Sequence, residues 1–255
     1  MSLRRKEFDV LTYLEHTGGG MSQREIAEET SMSVGSVNRV IASLAENGYI
    51  ADNVITQAGY AALEPYRVKR AVFIAAGFGS RLVPITLNTP KPLVRVRGTR
   101  MIDTLLDAVV AAGIQEIFIV RGYLGEQFDQ LKYKYPQIQF LENPSYNETN
   151  NISSIMVARY LLRSTYVFEA DLVLYNPELI TKYQYASNYL GVPVDSTDDW
   201  CFETKNNVIT KLSIGGTNCY HMFGISYWND EDGAKLAEDI KKVYEMPGGK
   251  ERYWD

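Results

Sequence analysis

The chain has 255 residues, enough for one large domain or for a large and a small one, and its 45% hydrophobic and 22% charged content is that of an ordinary globular protein. No apolar run nears the roughly 20 residues a membrane helix needs, and the N-terminus lacks an apolar signal core. Cys201 and Cys219 make neither a disulfide framework nor a zinc spacing, so a cytoplasmic protein is expected. The net charge of −5 argues against nucleic-acid binding by the whole chain but leaves room for a local basic site.

Residues 1 to about 67 read as helices followed by a short strand pair. Phe8, Leu11 and Leu14, then Ile26 and Ala27, then Val37, Val40, Ile41 and Leu44 recur at helical spacing. Ser22 is placed to cap one helix, with Glu25 completing a capping box, and Ser33 to cap the next, which stops near Asn47-Gly48. Between them, residues 29–32 form a tight turn. Helix, turn, helix and a Gly-Tyr-Ile strand resemble a winged helix-turn-helix. That resemblance implies a recognition helix over Ser33–Asn47 for DNA, or else a docking or dimerisation module. Residues 1–67 hold six cations against nine acids, with Arg39 alone on the helix in question, which is a poor footprint for phosphate. DNA stays open as a partner, disfavoured by charge.

Glu64-Pro65-Tyr66-Arg67 reads as the linker, because Pro65 disfavours helix at Glu64. Residues 68–255 then form the larger domain. Ala71–Ala75 is predicted as a buried strand, Met101–Ala112 as a helix closing at Gly113, and Glu116–Val120 as a second buried strand. Glu126–Tyr135 reads as helix, Ile138–Glu142 as strand, Asn151–Leu162 as helix and Thr165–Glu169 as strand. The alternation predicts an α/β fold with a Rossmann-like, mostly parallel mixed sheet. From Ala186 the chain looks richer in strands, at Trp200–Thr204, Val208–Ile214 and Tyr220–Ile225, with Asn206-Asn207 as a hairpin turn.

In such sheets ligands bind beyond the carboxyl ends of the strands, which is where the loop after Ala75 lies. Gly77 and Gly79 let backbone N–H groups approach an anion. The dinucleotide fingerprint fails at Leu82, and the Walker Gly-Lys-Ser/Thr is absent. What remains is G-x-G-x-R-L-x-P-x-T-x-x-x-P-K-P, with Arg81 and Lys91 as cations for a polyphosphate and Pro84, Pro90 and Pro92 stiffening the return path. This string resembles the signature of nucleotidyltransferases that join an NTP to a phosphorylated small molecule. The resemblance implies that Ala75, Ala76, Gly77, Gly79, Ser80 and Arg81 bind the nucleotide, with Lys91, Arg81 and Asp171 catalytic. It also implies Mg²⁺ held by Asp171, just past the strand ending at Glu169, with Asp255 as a second ligand. A carboxylate at a strand end suits that ion, and also suits a plain cap.

Residues 146–154 are similar to the Y-x-x-x-N-N-x-x-S segment of phosphocholine cytidylyltransferases. By that resemblance Asn150 or Asn151 would meet the pyrimidine edge, and Tyr123 would lie beside the base. An asparagine at a helix start can equally be an N-cap. Trp200, flanked by Asp198 and Asp199, stands where the family has an aromatic against a quaternary ammonium, with Tyr253 completing a cage. The alternative is a tryptophan packed in the sheet. His16 and His221 have no partner spacing. The family continues past Y-W-D with a further strand and helix that this sequence lacks. A fragment, a pocket completed by another chain, or an incomplete acceptor side all stay open, and an exposed sheet edge would favour a homodimer. The expected activity is CTP plus phosphocholine giving CDP-choline and pyrophosphate. Its rivals are another acceptor, such as 2-aminoethylphosphonate or a phospho-alcohol, a sugar 1-phosphate with UTP or dTTP, and a nucleotide-sensing DNA-binding regulator.

Overall fold

The computed structural model describes residues 2–254. It contains two compact units: one runs to Arg67 and takes in Tyr183–Tyr185, and the other comprises Val68–Lys182 and the chain from Ala186 onward. Among the described residues no helix is long and apolar enough to cross a membrane.

In the first unit, helices α1 (Arg5–Thr17), α2 (Gln23–Glu29) and α3 (Val34–Glu46) precede the antiparallel pair β1 (Ile50–Ala51) and β2 (Val54–Ile55). The capping box at Ser22 is formed: the Glu25 backbone N–H donates to Ser22 Oγ at 3.3 Å, and the Ser22 N–H donates to Glu25 Oε2 at 2.7 Å. Ser33 Oγ accepts from the Ser36 N–H at 3.2 Å, starting α3. The helical stripe of Phe8, Leu11, Leu14, Ile26, Val37, Val40 and Leu44 is buried as one core. A further helix, α4 (Gln57–Leu63), was not expected; Thr56 caps it through the Gly59 N–H at 3.2 Å. Glu64 was expected to leave helical space before Pro65. Instead it keeps right-handed angles, because its N–H still donates to Tyr60 O and Pro65 opens a 3-10 turn over Glu64–Tyr66.

Glu7 ties α1 to α3. Its carboxylate accepts from the Arg4 backbone at 2.9 Å, from the Arg4 guanidinium at 2.6 Å and from Ser43 Oγ at 2.9 Å. The side chain is only 11% exposed. Hydrogen bonding to Arg4, the largest influence, holds its pKa well below the usual 4.5, at about 2. A carboxylate with a depressed folded pKa stabilises the fold above the unfolded value and loses that contribution as pH falls through the folded one. Glu7→Gln is therefore expected to cost about 2 kcal/mol at pH 7. The gap should close as pH falls from about 4.5 toward 2. Thermal unfolding of both proteins across that range checks this, and a pH-independent gap would refute it.

In the second unit, β3 (Arg70–Ala75) is followed by the small pair β4 (Arg95–Val96) and β5 (Thr99–Arg100), then α5 (Met101–Ala111) and β6 (Glu116–Arg121). Next come β7 (Ile138–Glu142), α6 (Ile152–Ala158), β8 (Thr165–Glu169), β9 (Asn188–Lys205), β10 (Val208–Trp228) and α7 (Asp230–Glu245). The six-stranded sheet has the order β7-β6-β3-β8-β10-β9. Its first four strands are parallel, and β10 and β9 are antiparallel to their neighbours. Strands alternate sides along their length. Ala71, Phe73 and Ala75 of β3 join Ile102, Leu105 and Val109 of α5 on one face, while Val72 and Ile74 join Ile155 of α6 and Ile240 of α7 on the other. With both faces covered, the parallel strands are buried as such sheets require. The order reverses between β3 and β8, which creates a crevice at their carboxyl ends.

Three elements depart from expectation. Gly125–Tyr133 forms a 3-10 helix rather than an α-helix. The strands read as three short pieces are two long ones joined at Asn206-Asn207, both with positive φ (54° and 60°), as a two-residue hairpin requires. Cys201 and Phe202 pair with Ser213 and Leu212 on one side and with His221 and Tyr220 on the other, so this hairpin curls back on itself. Helix α7 also went unread, although Asn229 caps it at Asp232 N–H (2.8 Å) and three acids fill its first turn.

Gly233 lets α7 pack closely. A Cβ there would lie 2.3 Å from the Leu162 carbonyl oxygen, a backbone atom that cannot swing aside. Helix propensity alone favours Ala over Gly by about 1 kcal/mol, so packing and propensity oppose each other here. Gly233→Ala is expected to destabilise this unit by about 2 kcal/mol, as overpacking does. A denaturant titration that shows stabilisation would overturn the clash argument.

Candidate active site

The crevice is a cleft of about 350 Å³ at the carboxyl ends of β3 and β8. Its first wall is the loop after β3. Gly79 takes a left-handed conformation, φ +64°, and a Cβ there would meet Lys91 Cβ and Thr86 Cγ2, each at 3.0 Å. The buried Thr86 hydroxyl donates to the Gly79 carbonyl at 2.9 Å, closing the return arm onto the glycine turn. That contact gives the threonine of the motif a structural purpose. The arm re-enters the core through Pro92 and the buried Leu93, in a 3-10 turn over Lys91–Leu93. Lys91 therefore hangs from a fixed backbone.

Ala75, Ala76, Gly77, Gly79, Ser80, Arg81 and Lys91 all line the cleft, as do Asn150, Asn151, Asp171 and Tyr253. Asp171 lies two residues past β8 and forms an ion pair with the Lys91 ammonium. Their side chains are 31% and 29% exposed, so both face the cleft rather than the core. Glu169, at the end of β8, lines the same cleft. Among the described residues no group of three or more His, Cys, Asp and Glu side chains forms a cage. A Mg²⁺ ion needs none: it takes one or two carboxylates and completes its shell with substrate phosphate and water. Asp171 and Glu169 are a donor set of that kind. Asp255 lies outside the described residues.

Other expected residues are elsewhere. Tyr123 does not line the cleft; it braces the glycine loop. Its N–H donates to Ala76 O at 3.1 Å, its hydroxyl to Leu87 O at 3.1 Å, and its ring lies 4.9 Å from that of Phe78. Gln127 Nε2 donates to Asn88 O at 2.9 Å, adding a second brace. Asp198, Asp199 and Trp200 lie on β9 in the curled hairpin, and none is among the described residues lining the cleft. The Trp200 N–H donates to the Asp199 carboxylate at 2.7 Å.

The cleft also contains residues given no role from the sequence. Asn143, directly after β7, is buried; its amide donates to Ser153 Oγ at 2.8 Å and Ser154 Oγ at 3.1 Å and accepts from the Ser145 N–H at 3.0 Å. Phe78 and Tyr146, with ring centroids 5.5 Å apart, form an aromatic margin. A usable signal existed for Asn143 and Glu169, since both lie at carboxyl ends of parallel strands. Chemically, the arrangement is an anion-receptive backbone turn and two cations facing two carboxylates, all within one solvent-open cleft.

The nucleotidyl transferase family model matches residues 70–189, and the MarR family model matches residues 2–53. The chain is 39% identical, over 72% of its length and 77% of the relative's, to a 2-aminoethylphosphonate cytidylyltransferase of Lancefieldella rimae. It is 32% identical to a choline-phosphate cytidylyltransferase of Streptococcus pneumoniae, over 73% of this chain and 81% of the relative. Among solved structures, a CTP:phosphocholine cytidylyltransferase from Streptococcus pneumoniae superposes with a TM-score of 0.69 at 32% identity, covering 74% of this chain and 82% of that one.

Proposed function

This chain belongs to the nucleotidyl transferase family, in its cytidylyltransferase branch and with a MarR-like winged helix domain at its N-terminus, and from that premise we propose that it transfers CMP from CTP to 2-aminoethylphosphonate. The observation that carries the chemistry is Lys91 paired with Asp171 in the cleft beneath the glycine loop. In this reading the backbone at Gly77 and Gly79 admits the triphosphate, and Arg81 neutralises it. Lys91 releases Asp171 to meet the charge that develops at the α-phosphorus. An anionic phosphonate oxygen attacks that phosphorus in line; the new P–O bond forms as the bond to the bridging oxygen breaks, and pyrophosphate leaves. The acceptor oxygen is already an anion, so no general base is required. Asp171 and Glu169 would hold Mg²⁺, whose contribution when bound is to neutralise phosphate charge.

Two observations favour a primary-amine phosphonate: the 39% relative, and the position of Asp198, Asp199 and Trp200 outside the cleft lining, which leaves a trimethylammonium group without the Trp200 face expected for it. Phosphocholine is the second reading. It is supported by the Tyr146–Ser154 resemblance, by the pneumococcal relative and by Tyr253 in the cleft. Pyrophosphate release should be measured with Mg²⁺, each of four NTPs, and 2-aminoethylphosphonate, phosphocholine, phosphoethanolamine or glucose 1-phosphate. The expected result is turnover with CTP and 2-aminoethylphosphonate, at a kcat/KM above that for phosphocholine. Preference for phosphocholine selects the second reading, and turnover only with a sugar phosphate removes both.

A further inference from the structure

The paired asparagines were expected at the pyrimidine edge, yet their side chains are engaged elsewhere. Asn150 Nδ2 donates to the Glu251 carbonyl at 3.1 Å, and the Asn150 backbone N–H donates to the Lys250 carbonyl at 2.8 Å. Asn150 Oδ1 accepts from the Asn151 backbone N–H at 2.7 Å. Asn151 Oδ1 then accepts from the Trp254 N–H at 3.1 Å. The Trp254 indole N–H donates to Glu169 Oε1 at 3.1 Å, at the end of β8. Four of these five bonds tie residues 250–254 to positions about a hundred places earlier in the chain, and between them they hold Tyr253 against the cleft. A base-reading role that used these same donor and acceptor positions would have to displace these partners. Buried or half-buried polar groups do not give up hydrogen bonds without cost.

We propose that Asn150, Asn151 and Glu169 form a clip that fastens the Lys250–Trp254 segment along the cleft, so that the two asparagines are positioning residues for the acceptor. The geometry assigns the segment to that side. The glycine loop that suits the triphosphate leaves β3, whereas the clip fastens to the end of β8 and the start of α6. Tyr253 is thereby held at the cleft that Asp171 also lines. The acceptor half of this inference rests on the cytidylyl-transfer reading; the clip itself does not.

Two measurements on the full chain separate them. Hydrogen exchange of peptides covering residues 246–254 should speed up at least tenfold in Asn151→Ala and about threefold in Trp254→Phe, which removes the indole donor and trims the ring packed on the core, with the sheet strands unchanged. In turnover, Asn151→Ala should raise KM for the acceptor about tenfold while KM for CTP and the preference for CTP over UTP stay within twofold. Unchanged exchange in both variants overturns the clip. Lost CTP preference with an unchanged acceptor KM overturns the positioning role and returns the asparagines to the base. If the parent chain turns over no acceptor but exchange responds as stated, the proposed function fails and the clip stands.

Discussion

Lys91→Ala is expected to lower kcat for cytidylyl transfer about 10³-fold, roughly 4 kcal/mol of transition-state stabilisation, with the melting temperature moved by no more than about 2 °C. The small stability effect follows from exposure. The Lys91–Asp171 pair is about a third open to solvent, and pairs of that kind contribute at most about 1 kcal/mol before screening reduces it further. The large catalytic effect follows from anchorage. Pro92 and Leu93 are buried in the return arm, so the ammonium is presented from a backbone that does not reorganise during reaction. Preorganised charge of this sort is worth several kcal/mol where transition-state charge develops. Lys91→Arg should recover only part of the loss, because a planar fork spreads the charge that a compact ammonium concentrates. Activity in Lys91→Ala within tenfold of the parent would remove Lys91 from the chemistry.

The parts of the fold that were legible in the sequence are those where local chemistry and tertiary packing agree. The Ser22 and Ser33 caps, the Asn206-Asn207 turn and the strands Ile138–Glu142 and Thr165–Glu169 lie where spacing put them. Helix α7 was missed because its first turn is a run of acids and a glycine, which reads as solvated loop until Leu236, Ala237 and Ile240 find the far face of the sheet. The curl of the β9–β10 hairpin depends on which strand Cys201 meets twice, and no local pattern encodes that.

In the cleft, the glycine loop and its cations were readable because a continuous stretch carries both the turn and its ligands. Tyr123, Asn150 and Asn151 were assigned to the base by resemblance; in the structure Tyr123 braces Leu87 O, and the asparagine pair lines the cleft while bonded to residues 250–254. Side-chain amides and hydroxyls serve backbone carbonyls as readily as ligands, so a motif gives their location and leaves their partner open. Glu169 shows the converse. Its place two residues before Asp171 was visible, but its bond to Trp254 spans 85 positions and exists only once the chain has folded.

Gly79→Val should lower kcat/KM for CTP by 10²-fold or more while leaving the sheet folded. The backbone at residue 79 is left-handed, φ +64°, a conformation in which a β-branched residue is a steric outlier at a cost of about 1–3 kcal/mol. The added atoms cannot be absorbed locally, since even a Cβ meets Lys91 Cβ and Thr86 Cγ2 at 3.0 Å. Relief requires moving the return arm, and that arm carries Lys91. Of the return arm the cores on either face of the sheet take in only its last residue, Leu93, so the melting temperature should fall by only a few degrees. Gly77→Ala is the matched control. Its Cβ would have no protein atom within 4 Å and its φ is not left-handed, so the unliganded fold should be unchanged. A loss of CTP affinity in Gly77→Ala would then measure how closely the triphosphate approaches the backbone. Calorimetric titration with CTP, beside thermal melts of both variants, separates a displaced lysine from a blocked phosphate. Full CTP affinity and activity in Gly79→Val would mean that the loop is not the phosphate site.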